Sequence, residues 1–319
     1  MEPFLQAVAD ELAEQVQSFD PEIATYARYA LTNQGKQLRP ALVALSAGAI
    51  GSVTPQQVRV AVIIEMVHLA TLVHDDIMDE AEIRRRRPTL AANWGNQISV
   101  LLGDCLFANA LELAASFPTP EICRAVSAST NTVCTGEILQ TNRRLNFDFT
   151  RAEYFKVLAM KTAEFFSLAC ELGARLSGAS DQERLALRDY GMALGIAYQV
   201  YDDCLDLFGS EDMVGKSLGT DRGSGKLTLP VLVVLENASK TDRNRLKDLI
   251  EHWEPHHHPR VLELMDNYGA LTHSQAIINQ YLRSGQQALS VIAPSDARAG
   301  LIGLTEFLAQ QTDTLGFPY

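Results

Sequence analysis

Helical periodicity is the feature that most constrains how this chain of 319 residues folds. Leu5, Val8, Leu12 and Val16 recur every three or four residues and predict an amphipathic helix at the start of the chain. No series of short alternating strands with Asn-Gly or Asp-Gly turns follows, so a sheet is not expected. Because the sequence also has no low-complexity linker and no short-period repeat, it predicts a single all-α domain over residues 1–319.

Four short segments carry signals for the start of a helix. In residues 54–57, 150–153 and 180–183, a Thr or Ser is followed three positions later by Gln or Glu, the spacing of a capping box. The first of these segments also has a proline at its first helical position. Residues 119–121 (Thr-Pro-Glu) resemble another start. We therefore expect helices to begin just after each of these segments.

Charge and cysteine content exclude several classes of protein. The formal net charge is -12 and no basic footprint is present, which argues against general nucleic-acid binding. The five cysteines include no CxxC pair and lie mostly in apolar helical segments, as expected for reduced residues in a cytoplasmic protein. No signal peptide is expected, and the apolar run "AVIIEMVHLATLV" is too short to span a bilayer.

The three adjacent histidines in "EPHHHPR" (residues 254–260) raise the question of a metal site. Three consecutive side chains cannot share one face of a helix. We therefore predict that this segment is a surface loop rather than a metal site.

The pattern DDxxD occurs twice, at residues 75–79 and at residues 202–206. On a helix, Asp75 and Asp79 lie on one face about 6 Å apart, and Asp202 and Asp206 of the second motif have the same spacing. Carboxylates so placed repel each other unless a cation neutralises them. Each motif also ends an apolar helical segment. Hard oxygen ligands with room for water and substrate oxygens favour Mg²⁺, so two such motifs predict a magnesium-dependent site.

Basic residues accompany both motifs, most densely in "HDDIMDEAEIRRRRP" (residues 74–88). A salt-bridged, solvent-exposed helix face is the alternative for such a charge cluster. Together with two metal motifs, however, the basic side chains predict a cage for diphosphate groups. The candidate phosphate donors are Lys36, Arg39, Arg84, Arg85, Lys161, Lys216 and Lys226.

These segments closely resemble those of the trans-isoprenyl diphosphate synthases, the polyprenyl synthetase family. The matching text runs in order through "GKQLRP", "HLATLVHDDIMDEAEIRRRRPT", "LLGDCLFANAL", "GEILQ", "KTAEFF" and "YQVYDDCLDLFGSEDMVGKSLGTDRGSGKLTLPVL". The resemblance implies an all-α isoprenoid synthase fold in which helices surround a central catalytic cavity, with the two aspartate motifs facing each other. It also implies a homodimer and three Mg²⁺ ions.

The resemblance further implies a set of metal-binding residues. Asp75 and Asp79 would ligate two Mg²⁺ ions, and Asp202 would ligate the third. The side chains implied to orient metal-bound water are Asp76, Asp203, Asp206 and Asp221.

The substrates implied by the resemblance are isopentenyl diphosphate and an allylic diphosphate. The residues expected at the allylic diphosphate are Arg84, Lys161, Lys216 and Lys226. Those expected at the isopentenyl diphosphate are Lys36, Arg39, His68 and Arg85. A lone histidine on an apolar helix is more often a core residue, but the position of His68 matches the family pattern. Thr162 and Gln199 are similar to residues whose oxygens face the developing allylic cation.

The implied activity is head-to-tail condensation of the two substrates to an all-trans polyprenyl diphosphate in the cytoplasm, with peripheral membrane contact for product release. A terpene cyclase on the same fold is one alternative, and it would lack the isopentenyl site. A non-catalytic partner subunit of a heteromeric synthase is another, and it would be expected to lose metal ligands. In this sequence the residues expected at the isopentenyl diphosphate and both aspartate motifs are complete.

Two small residues predict the product length. Thr71 and Ala70 lie four and five positions before Asp75, about one turn deeper in the helix, so we expect both to border the cavity. In farnesyl-making relatives bulky aromatic residues at these positions stop elongation. Small side chains here predict a product longer than farnesyl and longer than geranylgeranyl. The alternative is that they simply allow close helix packing.

One departure from the family pattern follows the first motif. Arg86 stands where the family usually has glycine, which predicts an altered loop backbone or an added phosphate contact.

Overall fold

The structure is a computed structural model that describes residues 1–32, 35–85, 87–209 and 225–316. Helices dominate these residues, and the one sheet among them is a hairpin of two-residue strands, β1 (Ile83–Arg84) and β2 (Arg87–Pro88). The strands are antiparallel, with Arg84 opposite Arg87. The all-α prediction is therefore confirmed.

The helices of the described residues are numbered here in chain order. Before residue 210 they are α1 (Glu2–Gln15), α2 (Ala24–Leu31), α3 (Leu38–Ile50), α4 (Pro55–Met78), α5 (Leu90–Trp94), α6 (Asn96–Ala115), α7 (Glu121–Thr141), α8 (Arg151–Leu158), α9 (Glu164–Leu176) and α10 (Asp181–Phe208). After residue 224 they are α11 (Leu229–Asn237), α12 (Lys240–Glu251), α13 (His258–Asn267), α14 (Ala270–Ala288) and α15 (Asp296–Asp313). A π-helical segment, Ala159–Ala163, joins α8 to α9.

All four predicted helix starts are confirmed. The Thr54 N–H donates to Gln57 Oε1 at 2.9 Å at the start of α4, and the Ser180 N–H donates to Glu183 Oε2 at 2.8 Å before α10. Thr150 forms the same reciprocal pair at the start of α8, and α7 begins at Glu121. These caps satisfy backbone donors that the first helical turn leaves unpaired, which is why the spacing predicts the boundary.

The backbone groups into two compact units. Unit 1 comprises Met1–Asn131, Phe165–Gly191 and Ala288–Ile302, and unit 2 comprises Thr132–Glu164, Met192–Gln287 and Gly303–Tyr319. The single domain over residues 1–319 stays a prediction.

Unit 1 is built around α4. Five consecutive residues of this helix, Val60 to Ile64, are at most 1% exposed. A helix that is apolar on every side has to be enclosed by other helices, and α1, α2, α3, α5 and α6 all pack against α4, α6 most extensively. The apolar run before the first aspartate motif is therefore a core helix.

Unit 2 has a shorter buried helix at its core. All seven residues from Leu229 to Leu235 in α11 are buried. The amphipathic helices α12 and α13 and the short helix α8 pack against it. This core lies next in the chain to Lys226, one of the predicted phosphate donors.

Two smaller predictions have different outcomes. The prediction that His256–His258 form a loop is wrong, because Pro255–His257 form a 3₁₀ turn and His258 begins α13. The five cysteines are free, as expected, and burial raises the pKa of Cys170 to about 12.

Within the described part of the chain, α6 is the one helix whose length and apolar composition match a membrane span. That match carries little weight alone, because core helices of soluble proteins pass the same test.

Gly173 on α9 marks a close helix crossing in unit 1. A Cβ at this position would contact the carbonyl oxygen of Val43 on α3 and lie 3.1 Å from its carbonyl carbon. At Gly303 in α15, by contrast, an added Cβ has no described atom within 4 Å apart from its chain neighbours and the backbone of its own helix. Gly173 and Gly303 therefore form a matched pair for testing this close packing by substitution with alanine.

We expect Gly173→Ala to lower the free energy of unfolding by about 1–3 kcal/mol, because the backbones must separate. Gly303→Ala should raise it by about 0.5–1 kcal/mol, since alanine loses less backbone entropy in a helix. Urea denaturation followed by circular dichroism measures both. A Gly173→Ala protein as stable as the wild type would contradict the crossing.

Candidate active site

The first aspartate motif lies at the C-terminal end of α4. Asp75 and Asp76 are in its last turn, and Asp79 follows directly as the C-cap residue. Asp75 and Asp79 are partly exposed, whereas Asp76 is only 5% exposed. The buried body of α4 thus holds a rigid end on which two carboxylates one turn apart can reach solvent.

Asp76 pairs with an arginine of the hairpin. Arg84 Nε donates to Asp76 Oδ1 at 2.6 Å. Burial raises the pKa of Asp76, the adjacent Arg84 lowers it, and Asp79 adds a smaller increase. Arg84 was predicted to bind the allylic diphosphate. Its Nε is used by Asp76, and the bond fixes the guanidinium beside the aspartate motif.

The hairpin also fixes Arg85. This residue has a φ of 51°, the left-handed conformation that tight two-residue hairpin turns require. A Cβ on Gly35 would collide with the Arg85 guanidinium, so the side chain lies directly against the Gly35 backbone. The loop before α3, which carries Lys36, is therefore next to Arg85. Arg86, where a loop change was predicted, lies outside the described residues.

Charges of both signs surround the middle of α4. Arg39 stands over the ring of Phe166 at 5.0 Å. Glu65 is 4% exposed; burial raises its pKa, and Arg39 and Arg85 lower it. Burial, Arg39, Arg85 and Arg84 all lower the pKa of His68 well below its usual range. His68 is therefore a neutral imidazole at pH 7, able to give or accept a hydrogen bond without adding charge.

In unit 2, the segment "GEILQ" on α7 holds Lys161. A Cβ at Gly136 would lie 2.9 Å from the Lys161 backbone nitrogen, so glycine lets α7 approach the π-helical segment closely. Lys161 Nζ donates to Gln140 Oε1 at 2.8 Å and forms an ion pair with Glu137. The π-helical turn, a feature frequent at functional sites, carries both Lys161 and Thr162.

The second aspartate motif lies near the end of α10. Asp202 is partly exposed, whereas Asp203 and Asp206 are buried. Tyr154 on α8 donates from its hydroxyl to Asp203 Oδ2 at 2.5 Å, and Gln199 Nε2 donates to Asp203 Oδ1 at 2.9 Å.

A pocket in unit 2 gathers five of the predicted residues. Its predicted members are Lys161, Thr162, Gln199, Asp203 and Lys226, and its other polar or aromatic members include Gln140, Arg143, Phe149, Tyr154 and Thr228. The structure therefore brings the predicted cation-facing oxygens together with two of the predicted phosphate donors. Lys216 and Asp221 lie outside the described residues.

The two predicted chain-length residues have different surroundings. Ala70 is 0% exposed, so no space as large as a water molecule touches it. Thr71 is partly exposed and donates from its hydroxyl to the His68 carbonyl oxygen at 2.7 Å. Ala70 thus matches the close-packing alternative. The prediction of a product longer than geranylgeranyl therefore depends on Thr71.

The carboxylates are suited to a metal that takes most of its ligands from elsewhere. Among the described residues, no group of three or more His, Cys, Asp or Glu side chains is placed to hold a metal ion. Mg²⁺ is typically bound by one or two carboxylates together with water and substrate phosphate oxygens. The partly exposed Asp75, Asp79 and Asp202 fit that requirement.

Sequence reasoning missed two buried groups beside these residues. Glu65 balances Arg39 and Arg85, and its signal was a carboxylate inside an otherwise apolar run. Tyr154 had no motif of its own. Its helical spacing to Leu158 and Thr162, which line the same pocket, was the one available clue.

The all-α fold, with an aspartate motif at or near the end of two of its helices, is that of the isoprenoid synthases. The chain belongs to the polyprenyl synthetase family, whose model matches residues 20–267. Membership confirms the family resemblance and the isoprenoid synthase fold, and it identifies the chain as a trans-prenyltransferase.

Three relatives illustrate the range of the family. A short chain isoprenyl diphosphate synthase of Methanothermobacter thermautotrophicus is 34% identical, with 95% of both chains covered. Heptaprenyl diphosphate synthase component 2 of Bacillus subtilis is 33% identical over 96% of this chain and 88% of the relative. A crystal structure of polyprenyl synthase from Caulobacter crescentus CB15, complexed with calcium and isoprenyl diphosphate, has a TM-score of 0.91 and 31% identity and covers 97% of this chain and 94% of its own.

The neutral state of His68 predicts a pH dependence. Because the folded pKa is lowered, the unfolded chain binds a proton at His68 as pH falls through about 6.5 while the folded chain does not. Stability present at high pH is therefore lost on acidification, by up to about 1.4 kcal/mol between pH 7.5 and 5.5. We expect His68→Gln to lose less stability than the wild type over this range, by up to the same amount.

Urea unfolding at the two pH values measures this difference. His252→Gln is the matched control, because His252 is an exposed histidine at the end of α12. If His68→Gln and His252→Gln show the same pH dependence, His68 is not held neutral.

Proposed function

We propose that the protein is a Mg²⁺-dependent trans-polyprenyl diphosphate synthase that condenses isopentenyl diphosphate with an allylic diphosphate. The observation that carries the proposal is the end of α4, where two partly exposed carboxylates lie beside fixed guanidinium groups. Arg84 is held by Asp76, and Arg85 lies against Gly35. Acids alone attract cations, and arginines alone attract anions; together they accept a metal diphosphate.

The proposed division of the metal ligands follows the carboxylates that reach solvent. Asp75 and Asp79 would hold two ions, and Asp202 would hold the third. When bound, these ions would supply positive charge for the departing diphosphate. Asp76, Asp206 and Asp221 orient the surrounding water, and Asp203 contributes through its hydrogen bonds in the unit 2 pocket.

Basic residues divide the two diphosphates between them in this proposal. Arg84, Lys161, Lys216 and Lys226 hold the allylic diphosphate. The isopentenyl diphosphate is held by Lys36, Arg39 and Arg85, and neutral His68 contributes a hydrogen bond rather than charge. Fixed donors of this kind stabilise charge in the transition state without reorganisation.

The reaction proceeds by ionisation, addition and proton loss. The allylic C–O bond breaks and its electron pair leaves with the diphosphate. The isopentenyl double bond attacks the resulting cation, and a proton then passes from the adduct to the released diphosphate. The oxygens of Thr162 and Gln199 face the cation, and the apolar side chains Val157 and Leu158 limit water in the pocket.

The two alternatives each lack a supporting feature. A terpene cyclase would not need Lys36, Arg39, His68 and Arg85, all of which are present. A non-catalytic partner subunit would be expected to lose metal ligands, and both aspartate motifs are complete. One relative is a component of a heptaprenyl diphosphate synthase. A heteromeric assembly that contains this chain as its catalytic subunit is therefore the second candidate assembly.

The proposed assembly is a homodimer. Its support is the apolar surface of α6, where Val100, Leu101 and Leu111 are exposed and Leu101 is 61% exposed. A row of exposed apolar side chains on one helix typically marks an interaction surface.

We further propose a cytoplasmic location, in line with the free cysteines, and peripheral membrane contact when a long product leaves.

Turnover of labelled isopentenyl diphosphate with Mg²⁺ and a set of allylic primers tests the activity. We expect the wild type to elongate a primer and to stop when EDTA removes Mg²⁺. Asp75→Asn and Asp202→Asn should lower turnover by about three orders of magnitude or more, because each removes a proposed ligand of the charge-stabilising ions.

Asp189→Asn is the matched control, since Asp189 is an exposed aspartate on α10, the helix that carries Asp202. It should retain wild-type turnover. Near-normal Mg²⁺-dependent turnover in Asp75→Asn or Asp202→Asn would reject the metal assignment.

We also propose a product longer than geranylgeranyl diphosphate. Its support is the small, partly exposed side chain of Thr71 one turn before Asp75. Thr71→Phe should shorten the product, because an aromatic ring fills space that the growing chain would occupy. Thr71→Ser, which keeps the side chain small, should leave the length unchanged. Thin-layer or mass analysis of products made with excess isopentenyl diphosphate measures this, and a wild type that stops at farnesyl or geranylgeranyl diphosphate contradicts it.

A further inference from the structure

Three hydrogen bonds link Tyr154 to Thr162 through the unit 2 pocket. The Tyr154 hydroxyl donates to Asp203 Oδ2 at 2.5 Å, Gln199 Nε2 donates to Asp203 Oδ1 at 2.9 Å, and the Thr162 hydroxyl donates to Gln199 Oε1 at 2.8 Å. Tyr154 is 3% exposed and Asp203 is 6% exposed. The chain of bonds therefore begins in the core of unit 2 and ends at a pocket-lining hydroxyl.

We propose that Tyr154 is a positioning residue that, through Asp203 and Gln199, turns the oxygen of Thr162 toward the reacting allylic group. The inference deepens the proposed function and rests on it. Tyr154 itself has no proposed contact with substrate, so its effect has to pass through the other three side chains.

The direction of each hydrogen bond follows from Asp203. Its two carboxylate oxygens accept from the Tyr154 hydroxyl and from Gln199 Nε2, so Gln199 presents its NH₂ group to Asp203 rather than its oxygen. The Gln199 oxygen then faces Thr162, and the Thr162 hydroxyl must donate to it. Once its proton is committed in this way, the lone pairs of the Thr162 oxygen remain for the pocket.

Tyr154 is needed because Asp203 is buried. A buried carboxylate requires hydrogen-bond donors on its oxygens, and a short bond to a phenol is among the stronger ones. Burial, together with the adjacent Asp203, raises the pKa of Tyr154 well above its usual range, so the phenol keeps the proton that it donates. Without that donor, Asp203 can rotate, and the Gln199 amide is no longer fixed in one orientation.

The preference for this orientation is chemical. Oxygen lone pairs stabilise a neighbouring cation, whereas a hydroxyl proton pointing at it would oppose its formation. A threonine inside a helix usually donates to the carbonyl of the preceding turn. Here Thr162 lies in the π-helical segment and donates to Gln199 instead.

The test is a double-mutant cycle of Tyr154→Phe and Thr162→Val measured by steady-state kinetics. Tyr154→Phe alone should lower kcat about tenfold while the KM values of both substrates stay within about twofold, because no diphosphate contact is lost. In the Thr162→Val background, Tyr154→Phe should change kcat by less than about twofold, since its target is already absent. Losses that multiply in the double mutant overturn the proposal.

Tyr281→Phe is the matched control and should keep wild-type kcat. Tyr281 belongs to the same ring cluster, with its centroid 5.6 Å from Phe155, which in turn lies 5.2 Å from Tyr154. Within the described part of the chain, however, no side-chain hydrogen bond of its hydroxyl is seen. If Tyr154→Phe behaves like Tyr281→Phe, the inference is wrong.

Two further arms separate the remaining outcomes. If circular dichroism shows that Tyr154→Phe does not fold, Asp203→Asn replaces it in the cycle, because an asparagine amide puts a donor where Tyr154 or Gln199 needs an acceptor. The same non-additive loss is expected, and additive losses overturn the proposal. A wild-type protein that condenses no substrate overturns the proposed function and the inference together. An active wild type with an unimpaired Tyr154→Phe overturns the inference alone.

Discussion

The burial of α4 is the constraint on which the first aspartate motif depends. Its middle is enclosed by helices on all sides, which fixes the position of the acidic end. Enclosure has a cost, because the carboxylate of Glu65 is buried with it, and His68 lies on the same helix beside the arginines. Arg39 and Arg85 balance the charge of Glu65, and His68 stays neutral. The same two guanidinium groups are proposed to receive a substrate diphosphate, so one arrangement of charge serves both folding and binding.

Unit 2 solves a similar problem with hydrogen bonds instead of ion pairs. Asp203 is buried, and Tyr154 and Gln199 satisfy its oxygens. The π-helical segment places Lys161 and Thr162 on the pocket side, and Gly136 makes room for it. Both units thus combine a buried, hydrogen-bonded carboxylate (Asp76 or Asp203) with a partly exposed aspartate.

The length of the product shows how packing limits what can be inferred from residue size. By their spacing from Asp75, Ala70 and Thr71 are equally plausible residues at the border of the cavity. Packing separates them: Ala70 touches no water-sized space, whereas Thr71 does. Relatives with similar sequences make products described as short-chain and as heptaprenyl, so overall similarity does not set the length.

The sequence by itself determined the helical class, four helix starts and the residue types of both aspartate motifs. These are local properties: periodicity, caps and one-turn spacing need no distant partner. Tertiary structure decided which side chains are buried and which other side chains they contact. Tyr154 meets Asp203 across 49 residues, and Lys161 meets Gln140 across 21, distances along the chain that no local pattern reports. Burial, pKa and hydrogen-bond direction are properties of such long-range contacts, which is why they emerge only from the folded chain.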